Sequence, residues 1–208
     1  MEVIKKYVDS ISYLVSEPDS SLYEAMNKGI KAATGRWINF MNAGDVFASS
    51  TVVSALFAEP IGDDVGFVFG NYNSLSIKGF ERIESNNPFY EKKSKYRTMG
   101  FNHQAVFTRT DLAKRFPFDY HKFSLIADYN MIMTIYNNGY KGLHRPVTVA
   151  TLEGRVGVSA SNRRLQRRQH AQLCGLDGTL WFFFFNNYMS FKQFARLIVY
   201  KYILRRKC

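Results

Sequence analysis

Trp37-Ile38-Asn39-Phe40-Met41 is an apolar run that delivers a turn of small residues, Asn42-Ala43-Gly44, and then one carboxylate, Asp45, ahead of Val46-Phe47. At the carboxyl end of a sheet strand, small residues let a diphosphate approach the backbone. An aspartate there holds a divalent cation that bridges phosphate oxygens. The same residues also describe an ordinary strand-to-helix turn in which Asp45 caps the next helix, and residue types alone favour neither reading. A second carboxylate, Asp128, opens the segment Asp128 to Asn138, with Met131, Ile132 and Ile135 on its buried side. A helix N-terminus stabilises such an aspartate as its anion. It becomes a general base where a hydroxyl proton lies within hydrogen-bond reach; on its own pattern it is an N-terminal helix charge. His103, beside the strand-like run from Gln104 to Thr108, belongs to no metal triad.

The elements that position these groups follow from periodicity and punctuation. Residues 2–8 read as the last turns of a helix and Ile11 to Val15 as a short buried strand. Pro18 breaks the pattern, Ser20 or Ser21 caps a helix, and Leu22, Met26, Ile30 and Ala33 recur at helical spacing up to Gly35. Further strands are expected at Trp37–Met41, Val65–Phe69, Gln104–Thr108 and Lys141–Ala150. Helices are expected at about 50–57, 111–116, 128–138, 162–175 and 191–206. Residues 71–97 read as a hairpin or a long loop. Strands alternating with helices indicate βαβ units and an α/β fold with a mixed, mostly parallel sheet flanked by helices.

Composition bounds the possibilities. With 208 residues, 46% hydrophobic and 22% charged, the chain is globular and long enough for one domain, not two. Twenty-eight Lys and Arg against 17 Asp and Glu give a formal charge of +11, which suits a polyanionic partner: nucleic acid, an anionic membrane face or a phosphorylated small molecule. No RNP, KH, zinc-finger or helix-turn-helix signature supports nucleic acid, and none is expected as a partner. Cys174 and Cys208 have no metal-ligand spacing and fit a reducing cytoplasm. No signal peptide is evident at the start of the chain. The longest apolar run, Leu180 to Phe185, is far shorter than the roughly 18 residues that span a bilayer.

Four consecutive segments carry a resemblance: Ser16-Glu17-Pro18-Asp19, Tyr23 to Ile30 with its Ala-x-Asn-x-Gly pattern, Ala33 to Ile38, and Asn42-Ala43-Gly44-Asp45. Together they resemble the signature of family 2 glycosyltransferases of GT-A fold, in the branch that builds capsule, O-antigen and colanic-acid-like polysaccharides. In the DxD-type motif of that family Asn42 and Gly44 stand where other members carry aspartates, which leaves Asp45 as the carboxylate. The resemblance implies donor contacts by Asp19, Lys28, Asn42 and Asp45, with Asp45 the ligand of a divalent Mg or Mn ion. Gly100 to Phe107 resembles the segment leading to the acceptor pocket, placing His103 and Gln104 beside the acceptor. Asp119 to Tyr129 resembles the region that supplies the base of inverting members, here Asp128. Gly154 to Ser159 resembles a closing Gly-Gly-x-Ser loop whose Arg155 touches the donor pyrophosphate.

The implied function is inverting transfer of a sugar from a nucleotide-diphosphate donor to a hydroxyl of a glycan or lipid-linked glycan. It implies a cytoplasmic protein, peripheral on the inner face of the plasma membrane. Asp45 and Asp128 are then expected in one cleft, within about 15 Å. The resemblance covers about residues 1–160, with 161–208 a basic helical extension. It begins at what resembles the helix after the nucleotide-binding acidic motif, so the first strands of a standard domain are expected to be missing. The competing reading is a catalytically silent remnant that acts as a binding or scaffolding module. In the tail, Phe191, Phe194, Ala195, Ile198 and Tyr202 make one stripe among six Lys and Arg residues, suited either to an anionic membrane surface or to packing on the core.

Overall fold

The computed structural model describes residues 2–76, 79–83, 85, 100–153 and 162–198. A short helix α1 (Glu2–Lys5) and a 3-10 turn (Val8–Ser10) lead to α2 (Leu22–Ala32). Ser21 caps α2 by accepting the Glu24 N–H at 3.1 Å, and the Glu24 carboxylate reaches back to the Ser20 N–H at 2.6 Å, so two orphan donors are satisfied reciprocally. Then come β1 (Trp37–Asn39), β2 (Val46–Phe47), α3 (Val52–Leu56), β3 (Val65–Ser76) and β4 (Gly79–Ile83). A 3-10 turn (His103–Ala105), β5 (Val106–Arg109), α4 (Thr110–Arg115), α5 (Ala127–Asn137) and β6 (Lys141–Glu153) complete the sheet. Helices α6 (Arg163–Leu173) and α7 (Leu180–Ile198) follow.

The fold is a mixed α/β sheet with helices on its faces. Its strand order is β1-β5-β3-β6-β2, with β4 hairpinned onto β3. Strands β1, β3 and β6 run in the same direction, as the alternation of strands and helices implies. The expected "mostly parallel" pairing is corrected, however: among the described strands only β3 and β6 pair in parallel. Strand β5 inserts antiparallel between β1 and β3, and β2 adds antiparallel to β6. A βαβ pattern reports which segments are strands and not where the next one inserts, so β5 was invisible as an inverted strand.

Period-two alternation sorts β3 between two cores. Phe67 and Phe69 join Ile30, Leu112, Ile126, Tyr129 and Ile135 under α2, α4 and α5. Val68 joins Val52, Leu56, Phe107 and Val149 under α3. The Ile11–Val15 segment is not the buried strand expected. Tyr13, Leu14 and Val15 are 65%, 45% and 48% exposed, and no described strand lies beside it to take its backbone hydrogen bonds.

Candidate functional site

Strand β1 holds the site together through one side chain. Asn39 Nδ2 donates to the carbonyls of Gln104 at 2.9 Å and Val106 at 2.7 Å, which pins the 3-10 turn His103–Ala105 against the end of β1. The turn Asn42-Ala43-Gly44-Asp45 follows directly. Its Asp45 N–H donates to the Asn42 carbonyl at 3.1 Å, and Gly44 sits at φ +92°, a left-handed conformation that a side chain would strain. This geometry turns Asp45 away from α3, whose N-cap is Thr51. Asp45 Oδ2 accepts from Gln104 Nε2 at 2.6 Å and Oδ1 from the Glu153 N–H at 2.8 Å. The helix-cap reading of Asp45 is therefore excluded: the carboxylate ties together the 42–45 turn, the 103–105 turn and the end of β6.

Asp128 lies in the first turn of α5 and is also held from two sides. Tyr23 of α2 donates its hydroxyl to Oδ1 at 2.9 Å, and His103 Nδ1 lies 3.2 Å from Oδ2. The other ring nitrogen of His103, Nε2, is 3.2 Å from Asn42 Nδ2. Tyr23, Asp128, His103 and Asn42 thus form one hydrogen-bonded chain. The adjacent residue Gln104 carries it to Asp45, so the two carboxylates belong to one connected site. Burial raises the Asp128 pKa, but the His103 hydrogen bond and charge and the Tyr23 hydroxyl outweigh it, and the carboxyl sits below the ordinary range. Burial and the Asp128 charge push the Tyr23 phenol far above its usual value, so it stays a neutral donor. The Gln104 side-chain oxygen is buried and has no hydrogen-bond partner among the described residues.

Asp19 and Lys28 form a separate surface cluster. Lys28 Nζ lies 2.7 Å from Asp19 and 2.5 Å from Glu17, and these contacts raise its pKa. The hydrogen-bonded chain through His103 does not extend to them. Arg155 lies outside the described residues.

Two contributions escaped sequence reasoning. Asn27, inside the Ala-x-Asn-x-Gly pattern, is a structural clamp: its amide donates to the Phe118 carbonyl at 2.9 Å and accepts the Phe118 N–H at 3.0 Å. Gln169 and His170, within the arginine-rich α6, are buried against the start of α5. Gln169 accepts the Leu125 N–H at 2.9 Å and donates to Ser124 Oγ at 3.0 Å, while His170 packs against the Tyr129 ring at 5.1 Å. Burial depresses the His170 pKa to about 4, with the Asp128 charge opposing. No sequence signal marks them, because the cationic face of α6 dominates its pattern.

The comparisons with known proteins cover the stretch of chain that holds the 42–45 and 103–105 turns. The model of Glycosyl transferase family 2 matches residues 1–122, more than half of the chain. The chain belongs to glycosyl transferase family 2. The match takes in Tyr23, Asn42, Asp45, His103 and Gln104 and ends before Asp128. Two relatives, each named an uncharacterized glycosyltransferase and coming from two strains of Mycobacterium tuberculosis, are 27% identical over 122 residues. That alignment covers 59% of this chain and 47% of each relative, so this family 2 chain spans about half the length of the curated relatives it matches. Among the described residues, no group of three His, Cys, Asp or Glu side chains is placed to hold a metal ion. Of the two carboxylates at the site, Asp45 is the one on the small-residue turn that could hold a cation. Each of its oxygens accepts one N–H and keeps a further lone-pair site. That donor set suits an ion such as Mg²⁺, which commonly takes one or two carboxylates and draws its other ligands from substrate phosphates and water.

Proposed function

We propose that the cleft joining Asp45 and Asp128 transfers a sugar, with inversion, from a nucleotide-diphosphate donor to a hydroxyl of a glycan or lipid-linked glycan in surface polysaccharide synthesis. The single observation that carries this reading is the pair of hydrogen-bonded links, Tyr23–Asp128–His103 and Gln104–Asp45, joined by the 103–104 peptide, which sets a base and an anion-holding turn side by side. Asp128 takes the acceptor hydroxyl proton as that oxygen bonds to the anomeric carbon, and the bond from that carbon to the diphosphate oxygen breaks on the opposite side. Its depressed pKa keeps it ionised at neutral pH, and His103 and Tyr23 fix its orientation. The unpartnered Gln104 oxygen accepts a hydroxyl of the acceptor sugar, with His103 beside it. Asn42 and Asp45 face the diphosphate, with Asp19, Lys28 and Arg155 as further donor contacts. A bound Mg²⁺ or Mn²⁺ would neutralise the departing diphosphate, with Asp45 as its protein ligand. A lipid-linked acceptor places the protein peripherally on the inner face of the plasma membrane.

Nucleoside diphosphate release from a panel of nucleotide sugars, with and without glycan acceptors, tests the proposal. Asp128→Asn should lower turnover by about 10²-fold or more. Turnover unchanged in that variant removes Asp128 as the base. No release with any donor leaves the silent binding module as the reading.

A further inference from the structure

Helix α7 is amphipathic in the reverse of the usual sense. Two of its polar residues face the protein: Asn186 and Ser190 accept from the Arg167 guanidinium of α6, each at 2.9 Å, and Phe182 beside them is 5% exposed. Six of its aromatic residues face outward. Trp181, Phe183, Phe184, Tyr188, Phe191 and Phe194 are 52%, 61%, 67%, 61%, 70% and 61% exposed. At 3.6 residues per turn they occupy one arc of about 160°. Asn187 lies within that arc but returns its amide to the Phe183 carbonyl at 2.9 Å, so it offers the face little free polarity. Such a contiguous aromatic surface on one helix is an interaction site.

Charge selects the occupant. From Gly178 to Cys208 the sequence holds Lys192, Arg196, Lys201, Arg205, Arg206 and Lys207, and neither Asp nor Glu. Arg163, Arg164 and Arg168 add exposed cations on α6. A second copy would bring two wholly cationic segments together, whereas an anionic bilayer attracts them and takes Trp, Tyr and Phe rings at its headgroup boundary. None of the described helices is long and apolar enough to cross a membrane. We infer that α7 docks flat on an anionic lipid surface through its Trp181–Phe194 aromatic arc, with the exposed cations Lys192, Arg163 and Arg164 contacting lipid phosphates. This sharpens the membrane placement proposed above and does not depend on the sugar-transfer chemistry.

Vesicle binding of the full chain tests it without any transfer assay. The wild type should co-sediment with vesicles of phosphatidylglycerol and phosphatidylcholine, less at high salt, and only weakly with phosphatidylcholine alone. Its tryptophan emission should shift to the blue on binding. Trp181→Phe should keep the binding and lose the shift. Phe184→Ser with Phe191→Ser should weaken partitioning by about tenfold or more, with circular dichroism unchanged because both side chains are exposed. Three results would each overturn the inference: no binding to anionic vesicles at low salt, equal partitioning by the double variant, or vesicle-free dimerisation that the double variant abolishes.

Discussion

His170 makes the structure sensitive to mild acid in a way that can be worked through. The imidazole is 8% exposed, lies against Tyr129 and has a pKa depressed to about 4 by burial. In the unfolded chain it titrates near 6.5. Above pH 6.5 the ring is neutral in both states and stability is unaffected. As pH falls below 6.5 the unfolded state takes up the proton first, so stability drops, and the loss is complete below about pH 4. At about 1.36 kcal/mol per pH unit, the gap between those values corresponds to a total of about 3 kcal/mol, and about 2 kcal/mol of it is lost by pH 5. The perturbation is His170→Phe, which keeps a ring against Tyr129 and removes the titration. Urea unfolding followed from pH 7.5 to 5 should show the wild type losing about 2 kcal/mol more than the variant. Parallel pH profiles for the two proteins would refute the argument that a buried neutral imidazole backs the helix that carries Asp128.

Other outcomes follow from the same contacts. Tyr23→Phe removes one of the donors that hold the Asp128 pKa down, so a carbon NMR titration should place that carboxyl higher than in the wild type. Because a depressed carboxyl pKa adds stability that is lost as pH falls through the folded value, the variant should lose this contribution at a higher pH. Asn27→Ala strands the Phe118 N–H and carbonyl and should cost about 2 kcal/mol or more, read from the urea midpoint. Gly70→Ala would put a Cβ 2.3 Å from the Val147 carbonyl oxygen and 2.7 Å from Val149 Cγ2. It should destabilise the β3–β6 pairing by about 3 kcal/mol, or prevent folding, in a thermal melt.

Much of the fold was legible where local chemistry matches the global structure. Ser21 and the 3.6-residue spacing from Leu22 marked α2, the apolar runs marked β3, β5 and β6, and Gly139 closed α5 at φ +90°. The misses have physical causes. Ile11 to Val15 has the composition of a strand, but a strand also needs a lateral partner, which composition does not report. The inverted insertion of β5 is a long-range choice that no window of sequence encodes. At the site, Asp45 and Asp128 stood out in the sequence and His103 and Gln104 through its resemblance, and the structure brings all four together. What the sequence could not show is how they are held: through Asn39 and Tyr23, and through Gln169 and His170 reaching in from a helix whose arginines mask them. The aromatic arc was hidden because 180–185 and 191–206 read as separate segments, whereas α7 runs unbroken from Leu180 to Ile198.

Calorimetric titration with nucleoside diphosphates and their sugar esters, in the presence of Mg²⁺ or Mn²⁺, tests the central claim most directly. The account predicts saturable binding of at least one nucleotide by the wild type. Asp45→Asn, which keeps the side-chain shape and removes the charge, should weaken it by about tenfold or more. An absence of heat with every nucleotide at millimolar concentration, or affinity unchanged in Asp45→Asn, would contradict the assignment of this cleft as a nucleotide-sugar site.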